Sequence, residues 1–259
     1  MLEIKNVYKT FNANTVNEKR AINGLNLTLN NGDFVTVIGG NGAGKSTTLN
    51  LIAGVFPPDE GTIHLDAYNL TNLPEHKRAR FLGRVFQDPM RGTAANMGIE
   101  ENLALAYRRG ERRGLKTGIS NEERKLYRER LAMLDLGLED RMTSKVGLLS
   151  GGQRQALTLL MATLKKPNLL LLDEHTAALD PKTADKVLRI TKYIVERDNL
   201  TTLMVTHNMR HAIEYGNRLI MMHNGKVVVD ISGEEKKNLK VQDLLEKFNI
   251  DNDRMLLSE

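Results

Sequence analysis

A chain of 259 residues, 41% of them hydrophobic, is long enough to bury a sizeable core. It has no cysteine, which excludes disulfides, thiolate nucleophiles and cysteine-ligated metals, and fits a reducing compartment. The balance of 37 Lys and Arg against 32 Asp and Glu leaves a formal charge of +5, a mild excess spread along the chain that reads as ordinary solvated charge.

The opening MLEIKNVYKTF sets Glu3, Lys5 and Lys9 among apolar residues, so no secretory leader is expected there. The longest apolar runs, Leu169 to Leu172 and Leu219 to Met222, fall far short of the roughly 20 residues that cross a bilayer. If the protein works at a membrane, another chain is expected to span it. Two strands are predicted first, Leu2 to Val7 and Ala21 to Leu29, followed by a turn at Asn30-Asn31-Gly32. The β-branched run Phe34 to Ile38 reads as a buried strand. Leu49, Ile52 and Ala53 then carry helical spacing, with a start near Lys45 and a stop at Gly54.

From about Leu103 to Leu164 strand texture vanishes, and Asn121 to Leu136 and Gly152 to Leu164 are predicted helices. Strands return at Leu169 to Leu172 and Thr202 to Thr206, separated by a helix over Pro181 to Arg197, a pattern that implies a parallel α/β sheet. One domain is expected over 1–233, with a core at 1–88 and 165–233 and a helical insert at about 89–164. Within 234–259 a short helix, Val241 to Phe248, precedes a tail. The basic stretch Arg108 to Lys116 lies in the insert and reads as a solvated loop, or as a contact for anionic lipid or a membrane subunit.

Gly39-Gly40-Asn41-Gly42-Ala43-Gly44-Lys45-Ser46 fits G-x-x-x-x-G-K-[ST], between a predicted strand and a predicted helix. Glycines permit a tight turn whose N–H groups face one concave site, and the helix behind it directs its positive dipole end there. Lys45 supplies a charge for the outer phosphates, and Ser46 a hydroxyl for Mg²⁺. These residues and Thr47 are candidate nucleotide ligands. Alone, the motif says only nucleotide.

Leu169 to Leu172 runs into Asp173 and Glu174. Ligands gather at the carboxyl ends of parallel strands, so Asp173 is a candidate Mg²⁺ ligand and Glu174 a candidate for polarising an attacking water. The competing reading is a buried strand capped by surface acids.

Leu149-Ser150-Gly151-Gly152-Gln153, followed by Arg154 and Gln155, resembles the signature motif of ABC ATPases. Physically it is a serine and two glycines opening a helix, a second phosphate-binding N-terminus. Other segments resemble the family in order: Phe86-Gln87-Asp88-Pro89 the glutamine loop, Ala178-Leu179-Asp180 the loop that contacts a partner subunit, and Val205-Thr206-His207 the switch histidine. Phe11 resembles the aromatic that stacks on adenine. The chain departs from the pattern at Gly40, where the family more often has proline or serine, and at His175, where it more often has proline.

The resemblance implies an α/β fold with a P-loop NTPase (RecA-like) core, an antiparallel β subdomain and an inserted α-helical subdomain. It implies ATP and Mg²⁺ as ligands, with Gln87 reaching the metal and His207, Lys45 and Glu174 acting on the γ-phosphate and water. Two copies would pair head to tail, the phosphate loop of one facing Ser150, Gly151, Gly152 and Gln153 of the other, with Asp180 at the junction. Transport is the expected role, at the cytoplasmic face of the membrane, with permease subunits and an extracytoplasmic solute-binding protein and without nucleic acid. The stretches VFQDPMRGTAANMGIEENLALAYRRG and LLLLDEHTAALDPKTADKV resemble bacterial importer ATPases of amino-acid uptake, of tryptophan or tyrosine type. The alternative is a soluble member of the family acting on ribosomes or DNA.

Overall fold

A computed structural model describes residues 1–111 and 118–246, which form two compact units: 1–78 with 201 onward, and 79–200. The first unit begins with β1 (Leu2–Phe11) and β2 (Lys19–Leu29), antiparallel from Leu2↔Leu29 to Phe11↔Lys19. Both run further than their apolar alternation predicts, because register shifts in β1 let the polar part of the ribbon keep pairing. β3 (Phe34–Ile38) is buried throughout, and α1 (Lys45–Ala53) follows with Gly54 as its left-handed stop. β4 (Glu60–Leu65) and β5 (Tyr68–Asn69) complete an antiparallel sheet of order β2-β1-β4-β5. The short α2 (Glu75–Arg78) ends in a buried arginine. Its guanidinium donates to Leu51 O at 2.6 Å and Ile52 O at 2.8 Å, setting a cation on the C-terminal carbonyls of α1. The helix behind the phosphate loop is thus anchored from its far end.

The second unit contains β6 (Leu82–Val85), α3 (Ile99–Tyr107), α4 (Asn121–Ala132), α5 (Gly151–Thr163), β7 (Leu169–Asp173) and α6 (Pro181–Arg197). Between β6 and β7 the pairing is parallel, from Leu82↔Leu169 to Val85↔Leu172. A Cβ on Gly83 would lie 2.6 Å from Ala162 O, so glycine is what lets β6 lie against α5. α4 stops a turn before the expected Leu136, where Asp135 takes a left-handed φ of 52°. Arg108 and Arg109 are not a solvated surface: Arg108 grips Glu123 at 2.8 and 2.9 Å, and Arg109, its pKa lowered by burial, donates to Ala162 O and Lys165 O at the end of α5. Residues 112–116 of that basic stretch lie outside the described residues.

The chain re-enters the first unit with β8 (Thr202–Val205), α7 (Met209–Glu214), β9 (Arg218–His223), β10 (Lys226–Ser232) and α8 (Gly233–Lys237). β8 and β9 flank β3 in parallel, with Val37 opposite both Val205 and Ile220, and β10 returns antiparallel to β9. Residues 241–246 are helical, and Leu244 packs with Leu239, Ile38, Leu219 and Ile231. The expected helix Val241 to Phe248 therefore meets the core through Leu244, and its part beyond 246 lies outside the described residues.

Lys236 on α8 is 3% exposed and donates to Gly216 O at 2.8 Å and to Tyr215 O, just past the end of α7. Burial pushes its pKa down from 10.5 to about 8. Between those values the unfolded chain holds the proton that the folded chain has released, so folding stability rises with pH across that window and is lost as pH falls through about 8. The difference in melting temperature between the parent and Lys236→Met should therefore change in the parent's favour from about pH 8 to 10.5, as differential scanning fluorimetry would show.

Candidate functional site

The phosphate loop lies where parallel β3 ends and α1 begins. Gly42 and Gly44 hold φ of 83° and 99°, and a Cβ on Gly44 would lie 2.8 Å from Ala21 O, so the loop reaches β2 only without a side chain there. Gly40 is not among the positive-φ residues, so its place in the loop does not require glycine for a left-handed backbone. Lys45, 7% exposed, donates from Nζ to Gly39 O at 2.7 Å and Gly40 O at 3.0 Å. Its charge is therefore held over the loop. Asn41, Ser46 and Thr47 face the loop's open side or the solvent, while Ala43 is buried and accepts Gly225 N–H at 3.1 Å. The first-turn N–H groups of α1 and the Lys45 ammonium are the groups with which this loop could hold an anion.

His207 follows β8. Thr206 N donates to Val37 O at 3.0 Å, two residues before Gly39, so His207 stands at the same strand ends as the loop. Asn208 then caps α7, accepting Arg210 N and His211 N. Phe11, at the tip of β1, is not a lone aromatic. It meets Phe56 edge to face at 5.1 Å, and Lys9, paired to Asp59 at 2.6 Å, lies 5.9 and 5.7 Å from the two ring centres. Phe56 is the partner that sequence reasoning missed.

In the second unit the parallel register Val85↔Leu172 sets Gln87 and the pair Asp173 and Glu174 at one end of β6 and β7. Arg84 lies 3.7 Å from Asp173. Glu174 takes a φ of 45°, a left-handed backbone that costs a non-glycine residue roughly 1–3 kcal/mol and is characteristic of functional turns. His175 is 2% exposed and turned toward α6, its Nε2 3.1 Å from Thr191 Oγ1. Because Thr191 gives its hydroxyl proton to Val187 O at 2.9 Å, the imidazole Nε2 is the donor in that contact. His175 is thus a packing residue of the turn.

Ser150 is the N-cap of α5: its Oγ accepts Gln153 N–H and Gln153 Oε1 accepts Ser150 N–H, a reciprocal capping box. Arg154 braces the preceding loop through Gly147 O at 3.1 Å and Leu149 O at 3.0 Å. Gln155, fully buried, donates to Phe86 O at 3.2 Å, which ties α5 to the residue before Gln87. Gly151 is exposed, but a Cβ on Gly152 would lie 2.1 Å from Thr183 Cγ2, so the second glycine lets α5 meet the start of α6. Asp180 caps α6 by accepting Thr183 N–H at 3.1 Å, and hydrogen bonding with Thr183 lowers its pKa. The residues from Ser150 to Gln153 and Asp180 are therefore organised by two facing helix starts.

As metal donors, Ser46 offers a hydroxyl, Asp173 a carboxylate and Gln87 an amide oxygen. Among the described residues no three His, Cys, Asp or Glu cluster as a protein-only metal site requires.

The family model for ABC transporters matches residues 22–177. The chain is 48% identical over 249 residues to a tyrosine transport ATP-binding protein of Clostridioides difficile, covering 96% of this chain and 98% of that one. It is 34% identical to the spermidine/putrescine import ATP-binding protein PotA of Haemophilus influenzae, spanning 96% of this chain but 64% of that relative's length. Among solved structures it is similar to the ATP-binding cassette MJ0796, a dimer in a post-hydrolysis state bound to ADP and Pi, with TM-score 0.76, 32% identity, and coverage of 90% of this chain and 98% of that one.

Proposed function

Because the chain belongs to the ABC transporter family of ATP-binding cassettes, we propose that it is the ATP-hydrolysing subunit of an importer for an aromatic amino acid of tyrosine type. It works as a dimer of cassettes on the cytoplasmic face of the membrane, bound to permease subunits that receive cargo from a solute-binding protein. None of the described helices is long and apolar enough to cross a membrane; in this reading the path for cargo runs through the permease subunits. The observation that carries the reading is one chain with two anion-binding helix starts, Gly39–Ser46 before α1 and Ser150 before α5, in a sequence near full-length similar to a tyrosine transport ATP-binding protein.

In this reading ATP rests its phosphates on the glycine loop, with its base against Phe11. Lys45 neutralises the outer phosphates, Glu174 takes a proton from the water in line with the γ-phosphate, and His207 holds phosphate and water in register. Mg²⁺, held by Ser46, Asp173 and Gln87, supplies charge compensation to the phosphate oxygens when bound. Ser150 and the two glycines after it cover the γ-phosphate of the partner's ATP. The helical segment around 89–164, beginning beside Gln87, is where the permease docks.

The test is uptake of labelled tyrosine in cells lacking this chain. Tyrosine uptake is expected to fall and to return with the parent but not with Lys45→Ala, while uptake of an unrelated solute stays constant. Normal tyrosine uptake with loss of another solute would overturn the cargo assignment and keep the motor. A chain that sediments with ribosomes and leaves all uptake untouched would overturn the transport reading.

A further inference from the structure

We propose that Lys19 is a further nucleotide-binding residue, a cation that engages the phosphate chain of ATP on the side of the base, between Phe11 and the glycine loop. The proposal rests on the nucleotide reading of that loop and adds a ligand that the loop motif does not contain. Phe11 and Lys19 are direct cross-strand partners at the end of the β1–β2 ribbon, and paired residues of an antiparallel ladder project from the same face. From there the ammonium reaches the loop: a methyl group on Gly42 would lie 3.6 Å from Lys19 Nζ. One side chain thus joins the aromatic platform to the middle of the phosphate cradle.

Its position is imposed by the fold rather than by chance of a surface rotamer. Two residues on, Ala21 O abuts Gly44, and Asn23 N donates to Gly225 O at 3.1 Å while Gly225 N donates to Ala43 O at 3.1 Å. The start of β2 is therefore fastened to the loop by backbone contacts along its free edge, the one that β1 does not pair. The two lysines near Phe11 also differ. Lys9 is neutralised by Asp59 at 2.6 Å, whereas none of the described hydrogen bonds or ion pairs engages the Lys19 ammonium. Lys45 covers the Gly39 and Gly40 end of the loop and Lys19 comes to Gly42, so two cations converge on one loop that itself carries no acid. A polyphosphate is the counterion such an arrangement fits. Because Lys19 is exposed, its attraction to phosphate is screened by salt, which gives the proposal its own signature.

The experiment is titration calorimetry of the purified chain with ATP, ADP and inorganic tripolyphosphate at several KCl concentrations, for the parent, Lys19→Met, Lys19→Arg and Lys45→Ala. Lys19→Met is expected to weaken all three ligands by roughly threefold to tenfold at low salt and to flatten the salt dependence, as loss of one exposed cation requires. Lys19→Arg should stay near the parent. If Lys19→Met binds ATP as the parent does while Lys45→Ala loses it, the proposal fails and the cradle stands. A loss confined to ATP and ADP, with tripolyphosphate unchanged, overturns the phosphate assignment. If Lys45→Ala also binds normally, the reading beneath the proposal fails.

Discussion

Glu174→Gln is expected to bind ATP, pair into dimers and stop there, with turnover reduced by roughly 10²–10⁴, the range over which a positioned general base contributes. The substitution preserves shape and removes only the ability to accept a proton. Glu174 sits on a left-handed turn beyond β7, and the buried side chain of that turn is its neighbour His175, bonded to Thr191. Binding should survive because the loop, Lys45 and α1 lie elsewhere in the chain. Single-turnover ATPase measurements with size-exclusion chromatography in ATP separate the two effects. Turnover within a few fold of the parent would remove Glu174 as the base. A variant that stays monomeric in saturating ATP would remove the paired-cassette mechanism.

The parts of the site that were legible in the sequence are those whose chemistry demands fixed spacing. Gly42 and Gly44 take the left-handed backbone that their glycine spacing announced, and Ser150 with Gln153 is a capping box written in four residues. The helix bounds at Lys45, Gly54 and Pro181 were likewise legible from their stop and start residues. What was not legible depends on partners distant in the chain. β6 is four residues long with a glycine and an arginine inside it, and exists because β7 pairs with it and α5 accepts Gly83. β4 owes its place to β1, and Phe56 is defined only by the ring it meets at Phe11. The hairpin of β9 and β10 is a different case. Asn224-Gly225, with φ of 46° and 73°, is a primed turn whose dipeptide announced it, and the apolar run before it was read for length alone.

His175 and Lys19 divide in the same way. His175 stands beside the catalytic candidate and carries a titratable ring, yet its Nε2 is committed to Thr191 inside the protein. Proximity in sequence placed it at the site, and the reversal of direction at Glu174 took its side chain away. Lys19 is the opposite: well upstream of the loop, in a polar ribbon with no motif, it is brought to Gly42 by the register of two strands.

Lys45→Ala is expected to lose nucleotide affinity, by roughly tenfold to a hundredfold on the scale of a charge-assisted contact in a largely buried setting. Two effects act in the same direction. The outer phosphates lose their cation, and Gly39 O and Gly40 O lose the donor that draws them together, so the loop itself is less ordered before ATP arrives. Lys45→Arg separates them, since the guanidinium keeps the charge but is too broad to sit on both carbonyls in a site 7% exposed. If charge dominates, arginine recovers most of the affinity. If the organised loop dominates, arginine resembles alanine in affinity while melting as the parent does. Calorimetric titration with ATP, read beside the melting temperature of each variant, decides between these, and parental affinity in Lys45→Ala would show that the glycine turn binds no triphosphate.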